Sequence, residues 1–580
     1  MVARTFSEVW AVDFEFRADP GERPVPVCLV AQELLGGGPP VRLWADQFGA
    51  LPPYGIGHDS LLVAYYAPAE MNCHLALGWP MPENVLDLYA EFRTLTNGKV
   101  LPHGVGLLGA LAYFRLDGIE SMEKEAMRQL IIAGGEYTPQ QRVDILDYCQ
   151  TDVDATAKLY AVMAPVFNEH QKLEHALLRG RYTRAVACME HAGIPIDMTM
   201  LGSLRQHWGA IRDKLISRID ADYGVYDGRT FKAAKFVDYV ASHGIDWPTT
   251  PTGRPCLDDD TFSEQCKTHP RLRPLKELRS ALGQMRLNDL AVGADGRNRA
   301  MLSILRSTTG RNQPSNSKFV FGLSAWLRGL IKPKEGYGLA YVDWSQQEFG
   351  IAAALSGDAA MKEAYSSGDP YLAFAVQAGA APSDATKHTH AAVREQFKAC
   401  VLAVQYGMGE DSLARRIQRT TPYARELLSL HRRTYARFWQ WSDGVSDYAM
   451  AYRKLWTVFG WQLSLSGTVN DRSVRNWPMQ SNGSEMLRLA CTLATERGIS
   501  VIAPVHDAVL IEAPLDRLDE QVLTMQETMR EASMAVLAGF ELRSDVKRID
   551  APDRFNDPRG DVMWGVVNEL LDEIGAEAAL

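Results

Sequence analysis

Residues 339–348 read Leu-Ala-Tyr-Val-Asp-Trp-Ser-Gln-Gln-Glu, an apolar run that ends in a carboxylate at Asp343. A second apolar run, residues 505–511, reads Val-His-Asp-Ala-Val-Leu-Ile and contains Asp507. Runs of this kind are typical of buried strands, in which a carboxylate does not stay both charged and unpaired. A pair of such carboxylates can hold divalent cations, usually Mg2+, against a nucleoside triphosphate. Each Asp alone is more typical of a strand end or a turn, so the metal hypothesis depends on the residues between them.

The segment between the two carboxylates contains a helix pattern over residues 391–406, which lack Pro and Gly. Steps of four place four side chains on one face of this helix: Arg394, Lys398, Leu402 and Tyr406. Two cations one turn apart, followed by an aromatic ring, suit a triphosphate with a base stacked beyond it. A solvated helix face that ends in a Tyr-Gly cap is an equally good interpretation of this helix alone.

Taken in this order, the three segments resemble motifs A, B and C of the family A DNA polymerases. The family's motif A is Asp-Tyr-Ser-Gln-x-Glu, and residues 343–348 match it with Trp in place of Tyr. Motif B is Arg-x3-Lys-x7-Tyr-Gly, which residues 394–407 match. Motif C is His-Asp-Glu, which residues 506–508 match with Ala in place of Glu. Two further matches are Thr-Gly-Arg at residues 309–311 and Arg-x3-Asn-x-Pro-x-Gln at residues 472–480.

The resemblance implies a two-metal phosphoryl transfer to the 3′ end of a primer. By this resemblance Asp343 and Asp507 hold two Mg2+, with Mn2+ as a substitute, and Lys398 also donates a proton to pyrophosphate. Glu348 stands where a 2′-hydroxyl would be, which favours dNTPs and argues against a single-subunit RNA polymerase. The implied nucleotide-binding residues are Arg394, Lys398, Leu402, Tyr406 and Glu348. The implied DNA-binding residues are Arg311, Arg472, Asn476, Gln480 and His506.

Two positions depart from the family pattern. Leu402 stands where family members have an aromatic residue that packs on the incoming sugar, so we expect a looser pocket on that side. Ala508 removes one carboxylate near the metals, but both Asp residues remain and we expect activity. The residues of motif A and Leu402 are similar to those of phage polymerases that copy genomes containing 2-aminoadenine.

The N-terminal region carries a second set of carboxylates. Residues 9–15 predict a strand on which Asp13 and Glu15, two positions apart, point from the same face. Tyr148 and Asp152 lie four positions apart on a predicted helix. These patterns resemble the first and third motifs of the DnaQ-like 3′–5′ exonuclease domain found in many family A polymerases.

This second resemblance implies four metal ligands and a tyrosine that orients the attacking water. The second motif of the family has an Asn followed by an Asp, and residues 63–70 stand in its place. Glu70 takes the carboxylate role there, and the Asn role has no assigned residue. The implied metal ligands are Asp13, Glu15, Glu70 and Asp152, and the implied water-orienting residue is Tyr148.

The 580-residue chain is long enough for three or four domains. Its eight cysteines are scattered without a Cys-x2-Cys pair, which indicates neither a zinc site nor a disulfide framework. No apolar run approaches a membrane span, so we expect a protein of the bacterial or infected-host cytoplasm. The net charge of −10 is unusual for a DNA-binding protein. Between Lys267 and Lys334, however, fourteen Lys and Arg residues stand against three acidic ones, which predicts a local duplex-gripping patch.

The expected fold class is a multidomain α/β protein, with a DnaQ/RNase H-like exonuclease followed by a right-hand polymerase. The expected boundaries are 1–165 for the exonuclease, 166–300 for the segment leading into the palm and the thumb, 301–360 for the palm with motif A, 361–465 for the fingers with motif B, and 466–580 for the palm with motif C and a C-terminal helix. Because the exonuclease pattern begins almost at residue 1, this plan resembles phage replicative polymerases.

The expected partners are primer–template DNA, dNTPs and single-stranded 3′ ends, without a membrane, and the sequence identifies no processivity factor. One alternative is a 3′–5′ exonuclease whose polymerase half only binds DNA. The other is a non-catalytic DNA-binding scaffold, which the full set of carboxylates argues against. Primer extension distinguishes these alternatives from a polymerase.

Overall fold

The structure, a computed structural model, describes residues 6–117, 121–250, 252–283, 287–405 and 407–578. Tyr406, predicted for the motif B helix face, lies outside the described residues. The chain divides into two units. The first comprises Met1–Gly193, Met301–Gln313 and Leu339–Arg548, and the second comprises Ile194–Ala300, Pro314–Gly338 and Ile549–Leu580.

The strands within the described ranges are β1 (Glu8–Arg17), β2 (Val25–Glu33), β3 (Val41–Trp44), β4 (Ser60–Ala64), β5 (Val85–Asp87), β6 (Ile194–Pro195), β7 (Tyr226–Asp227), β8 (Thr230–Phe231), β9 (Arg297–Asn298), β10 (Tyr337–Trp344), β11 (Lys454–Trp456), β12 (Gln462–Ser464), β13 (Val501–Val505), β14 (Ala508–Pro514) and β15 (Ser544–Asp550).

The helices are α1 (Pro68–Leu77), α2 (Leu88–Thr96), α3 (Leu107–Tyr113), α4 (Ser121–Ala133), α5 (Pro139–Met163), α6 (His170–Ala192), α7 (Met198–Asp220), α8 (Ala233–Ser242), α9 (Asp259–Thr268), α10 (Arg273–Gly283), α11 (Gln347–Ser356), α12 (Ala359–Ser366), α13 (Pro370–Gln377), α14 (Ala391–Gln405), α15 (Glu410–Ile417), α16 (Thr421–Thr434), α17 (Ala436–Tyr452), α18 (Asp471–Glu496), α19 (Leu518–Val536) and α20 (Asp561–Ala578). Within the described ranges, every helix is too short or too polar to cross a bilayer.

The N-terminal sheet has the strand order β3-β2-β1-β4-β5, which makes β1 the central strand. β1 pairs antiparallel with β2 and parallel with β4. Because side chains alternate along a strand, Val12 and Phe14 pack on the face that carries α1, whereas Ala11 packs against residues of α5. Asp13 and Glu15 share the face of Ala11 and therefore point towards α5.

The second sheet of the first unit has the order β13-β14-β10-β15. The sequence predicts a strand before Asp343, and β10 is that strand. The sequence also predicts one strand over residues 505–511, and this prediction is wrong. The structure divides the run at His506 and Asp507, which form a two-residue turn between the antiparallel strands β13 and β14. The left-handed backbone of His506, with φ of 59°, suits such a hairpin turn and places Asp507 at the end of the sheet.

Helices α12 to α17 lie between the two motif-bearing strands of this sheet along the chain. The predicted motif B helix is confirmed over its described residues, since α14 spans Ala391–Gln405. The segment predicted as helical fingers also contains the hairpin β11–β12, in which Leu455 pairs with Leu463. Helix α18 packs on α17 and on α11. Since α11 directly follows β10 in the chain, α18 lies between the helical region and the segment that carries Asp343.

In the second unit, part of the predicted basic patch is committed to internal contacts. Arg299 donates to both carboxylate oxygens of Asp295, and Arg328 forms a buried ion pair with Asp557. Arg279 lies over two Phe rings, at 4.2 and 4.5 Å from their centroids. These three cations stabilise the unit itself, so the charge count of the sequence overstates the number of Arg side chains that can contact phosphates.

Candidate active sites

Asp343 and Asp507 lie next to each other at one end of the second sheet, because β10 is the neighbour of β14. The backbone N–H of Trp344 donates to the carbonyl oxygen of Asp507 over 3.4 Å. Burial, followed by the charges of Asp507 and Asp545, raises the pKa of Asp343 to about 7. The Oδ1 atom of Asp343 is buried and has no hydrogen-bond partner. A divalent cation would satisfy this oxygen and neutralise the adjacent charges, so the two carboxylates fit a metal site.

Asp545 is a carboxylate that the sequence motifs do not single out. It lies on β15, on the opposite side of β10 from Asp507. The hydroxyl of Ser345 donates to Oδ2 of Asp545 over 2.6 Å. Motif C itself supplies only one carboxylate, since Ala508 replaces its Glu. Asp545, on another strand, supplies a third carboxylate near Asp343. Strand order alone reveals this neighbour, since no motif spacing links β15 to motif A.

Glu348 lies in the first turn of α11, directly after the end of β10. The side-chain amide of Gln480, on α18, donates from Nε2 to Oε1 of Glu348. Gln480 is buried and Glu348 is half-buried. The predicted sugar-selecting carboxylate and one predicted DNA-binding residue are thus joined by a hydrogen bond.

Arg394 and Lys398 lie one turn apart on α14. Arg394 donates to Oδ2 of Asp369 over 2.5 Å and to Oε1 of Glu395 over 2.6 Å. Both cations also lie near the ring of Tyr371, at 5.5 Å from its centroid for Arg394 and 5.9 Å for Lys398. A triphosphate that binds this helix face would have to replace the carboxylates that now hold Arg394.

Tyr371 is a second residue that the motifs miss. It lies in the first turn of α13 and is 8% exposed. Burial raises the pKa of Tyr371 to about 12, with Arg394 lowering it and Glu348 raising it further. The ring is therefore close both to the motif A carboxylate and to the motif B cations. In the sequence, Asp-Pro-Tyr at residues 369–371 indicates only a capped helix start. The half-buried Leu402 lies further along the same face of α14 as the cations.

The loop that leads into Arg311 is held closely against α18. Gly310 has φ of 77°, and a Cβ there would lie 3.1 Å from side-chain atoms of both Arg488 and Trp461. The carbonyl oxygen of Thr308 accepts a hydrogen bond from the indole N–H of Trp461 over 3.1 Å. The positive φ and the close side chains both favour glycine at this position, so the backbone preceding Arg311 is closely packed.

The other predicted DNA-binding residues lie on α18 or in the β13–β14 turn. Asn476 and Gln480 line a groove of about 400 Å³. Arg472 is exposed in the first turn of α18, and its side chain contacts Gly407, where a Cβ would lie 2.8 Å away. His506 is exposed in the turn beside Asp507.

The N-terminal unit brings the predicted first and third exonuclease motifs together. Carboxylate oxygens of Asp13 and Glu15 and the sulfur of Cys149 all lie within 4.8 Å of one another. Burial, followed by the charges of Asp152, Glu15 and Asp13, raises the pKa of Tyr148. Tyr148 and Asp152 on α5 are therefore close to both carboxylates of β1.

Glu70 lies in the first turn of α1 and is only 3% exposed. Its Oε2 atom has no hydrogen-bond partner. Burial, followed by the charge of Asp13, raises the pKa of Glu70. An unpartnered buried oxygen beside another carboxylate fits a divalent cation, which would offset the cost of burying both charges.

Asp87 fixes the segment that leads to Glu70. Its Oδ1 atom accepts hydrogen bonds from the backbone N–H groups of Tyr66 and Tyr89, each over 2.9 Å. Burial raises the pKa of Asp87 to about 7, and these hydrogen bonds lower it in part. In the sequence Asp87 indicates only a helix cap, which it also provides for α2.

Comparison with known proteins agrees with the motifs. Residues 321–547 match the family model described as DNA polymerase family A. DNA polymerase I of Mycobacterium bovis is 25% identical over 432 residues, which cover 66% of this chain and 46% of that protein. DNA polymerase I of Synechocystis sp. is 23% identical over 436 residues, which cover 66% of this chain and 43% of that protein. The chain thus spans about half the length of these curated relatives.

The fold is similar to a solved structure described as the POL domain of Pol1 from M. smegmatis in complex with DNA primer-template and dNTP. The TM-score is 0.72 at 19% identity, and the match covers 93% of this chain and 95% of the other. This similarity shows the mixed α/β fold of that domain. Residues 321–547 contain motifs A, B and C, so this part of the chain is similar to DNA polymerase family A in both its motifs and its match to the family model.

Proposed function

We propose that this chain is a template-directed DNA polymerase that adds dNTPs to a primer 3′ end and proofreads with an N-terminal 3′–5′ exonuclease. The observation that carries the proposal is the meeting of Asp343 and Asp507 at one sheet end, with Asp343 Oδ1 buried and unpartnered. The M. smegmatis protein of similar fold is described with primer-template and dNTP, which supports the same partners here.

Asp343 and Asp507 would hold two Mg2+, with Mn2+ as a substitute, and Asp545 would add negative charge beside them. When bound, these ions lower the pKa of the primer 3′-hydroxyl and neutralise charge on the triphosphate. The protein's own contribution is to fix one carboxylate near the end of β10 and the other in the turn that enters the neighbouring strand β14, so that little reorganisation is needed during phosphoryl transfer.

Arg394 and Lys398 neutralise the triphosphate from α14. Arg394 exchanges its carboxylate partner Asp369 for phosphate oxygens, which match the guanidinium fork. By the family resemblance, Lys398 would donate a proton to the leaving pyrophosphate. The ring of Tyr371 supports both cations from α13. Tyr406 would close the pocket near the templating base.

Arg311, Asn476 and Gln480 would contact the minor groove of primer–template. The acceptors there, purine N3 and pyrimidine O2, are common to all correct base pairs, so such contacts test pair geometry without reading sequence. By the family resemblance, Arg472 also binds DNA and His506 contacts the primer terminus.

Glu348→Ala is expected to narrow the gap between dNTP and rNTP insertion by about one order of magnitude or more, equivalent to about 1.4 kcal/mol. Removal of the carboxylate opens a space that a ribose 2′-hydroxyl can use. The measurement is single-nucleotide insertion of dNTP and rNTP by wild type and variant. Glu363→Ala, at an exposed position on α12, serves as control and should keep the wild-type ratio. An unchanged ratio in Glu348→Ala would assign sugar selection to another residue.

Asp545→Asn is expected to slow nucleotide insertion by about tenfold. The variant keeps the shape of the side chain but removes the third negative charge near Asp343. Adding Ala508→Glu, which restores the family's motif C carboxylate, should recover most of this rate. Pre-steady-state insertion rates of the single and double variants decide the matter. A wild-type rate in Asp545→Asn would mean that the charge of Asp545 has no part in insertion.

For the exonuclease, Asp13, Glu15, Glu70 and Asp152 would hold the cations, and Tyr148 would orient the attacking water. The position of two carboxylates on the central strand of a mixed sheet, under the helix that carries Tyr148 and Asp152, supports a DnaQ-like domain. Its substrate would be the single-stranded 3′ end of the primer.

The proposal extends to a phage enzyme that copies a 2-aminoadenine genome in an infected bacterial cytoplasm, on the strength of motif A and Leu402. 2-Aminoadenine adds a minor-groove amino group but keeps purine N3, so minor-groove contacts to that acceptor remain possible. Competition between dATP and the 2-aminoadenine deoxynucleotide opposite template T tests this extension. A clear preference for dATP would contradict it.

The alternative function is a 3′–5′ exonuclease whose polymerase half only binds DNA. Primer extension with Mg2+ and four dNTPs, run beside digestion of a labelled single-stranded oligonucleotide, separates the two. We expect extension to the template end that requires each templated dNTP. Digestion without extension would leave the alternative, and the absence of both activities would leave a DNA-binding scaffold.

A further inference from the structure

Cys149 lies inside the proposed exonuclease centre but has no part in the reaction described above. Its thiol donates to Oδ2 of Asp13 over 3.3 Å and to the carbonyl oxygen of Asp13 over 3.4 Å. The sulfur and one oxygen each of Asp13 and Glu15 lie within 4.8 Å of one another. Ligand atoms bound to one cation at about 2.0–2.3 Å are separated by no more than about 4–4.6 Å. Only small movements would therefore bring the three atoms to one ion.

The fold itself builds this cluster. Asp13 and Glu15 alternate onto the face of β1 that α5 covers, and Cys149 is a buried residue of α5. Cys28, which stands opposite Glu15 in the β1–β2 pair, lies against Cys149 from the other side. The sulfur of Cys149 is thus held in place between β1 and α5.

A second, independent observation concerns the buried carboxyl of Glu70, close to the same cluster. Glu70 is buried on α1, and its Oε2 atom has no hydrogen-bond partner. The group is close enough to Asp13 for the charge of Asp13 to act on it. A buried carboxyl oxygen without a donor is satisfied either by a proton or by a cation, and a cation held near Asp13 would serve both groups.

We propose that this centre is a mixed oxygen–sulfur site, in which Cys149 joins Asp13 and Glu15 as a ligand for a thiophilic divalent cation such as Cd2+ or Zn2+, with the buried carboxyl of Glu70 nearby. The inference deepens, and rests on, the proposed exonuclease function. Thiolate ligands favour these ions, whereas Mg2+ binds oxygen atoms. Binding forms a metal–sulfur bond and releases the thiol proton to solvent. The thiophilic ion then competes with Mg2+ for the same carboxylates.

The test uses the full chain without DNA and Cd2+ as the probe. Thiolate coordination gives an ultraviolet sulfur-to-cadmium charge-transfer band that carboxylates do not give. Wild type is expected to develop the band with a single Cd2+ per chain. Cys149→Ser is expected to lose it and to bind Cd2+ about tenfold more weakly or worse. Cys491→Ser, at a buried cysteine of α18, is the matched control and should keep the band. A band that persists in Cys149→Ser would overturn the proposal.

A measurement on the wild-type protein covers the case in which Cys149→Ser does not fold. Cadmium NMR distinguishes an ion with one sulfur ligand from an ion with oxygen ligands only, and an all-oxygen signal would overturn the proposal. Mg2+-dependent 3′ digestion without Cd2+ tests the exonuclease separately. Digestion without a cadmium–sulfur band rejects the mixed site alone, and a band without digestion rejects the exonuclease function alone.

Discussion

Asp343→Asn and Asp507→Asn are each expected to abolish primer extension while DNA binding and 3′ digestion persist. An amide has the shape of the carboxylate but lacks its charge, so the pair can no longer offset two divalent cations. The rate should fall by about three orders of magnitude, which corresponds to about 4 kcal/mol of transition-state stabilisation. Single-turnover insertion with saturating dNTP measures this loss directly.

The control is Asp516→Asn, which makes the same chemical change at an exposed position of the first unit. It should extend primers at the wild-type rate. Binding of labelled primer–template by each variant shows that the fold and the DNA surface are intact. Extension at more than a few per cent of the wild-type rate in either Asp343→Asn or Asp507→Asn would contradict the assignment of these residues to the metals.

Combined replacement Asp13→Ala and Glu15→Ala is expected to remove 3′ digestion and to preserve primer extension. These two carboxylates lie on β1, whereas Asp343 and Asp507 belong to the second sheet, so the two sets of cations have different ligands. Loss of both ligands should lower the digestion rate by about three orders of magnitude or more. Release of mononucleotides from a 3′-labelled single strand provides the measurement.

Asp154→Ala is the matched control for the nuclease variant. Asp154 lies on α5, two positions beyond Asp152, but it is exposed and accepts a hydrogen bond from Gln150. This variant should digest single strands normally. Equal loss of digestion and extension in a folded Asp13→Ala/Glu15→Ala protein would mean that the N-terminal carboxylates have no catalytic role separate from extension.

Local sequence patterns predicted the elements that carry most of the candidate residues. The apolar run before Asp343 predicts β10, and the absence of Pro and Gly predicts α14 with Arg394 and Lys398 on one face. Alternation along β1 likewise places Asp13 and Glu15 together. These predictions succeed because each depends on the period of a single strand or helix.

Neighbours supplied by distant segments could not be predicted in this way. Asp545 reaches Ser345 only because β15 adds to the free side of β10, and Tyr371 reaches Arg394 only because α13 packs on α14. The strand predicted through Asp507 failed for a local reason. The run over residues 505–511 conceals a turn near its start, where His506 adopts a left-handed backbone.

The most direct single test is the turnover of one dNTP to its monophosphate on a primer–template whose next template base pairs with it. Continuous turnover requires insertion at the Asp343–Asp507 centre and removal at the Asp13–Glu15 centre of the same chain. With the dNTP labelled on its α-phosphate, we predict steady release of labelled monophosphate by wild type in Mg2+, and its loss in Asp507→Asn and in Asp13→Ala/Glu15→Ala. Undiminished release by either variant, or a wild-type protein that neither extends the primer nor releases monophosphate, would contradict two separate active sites.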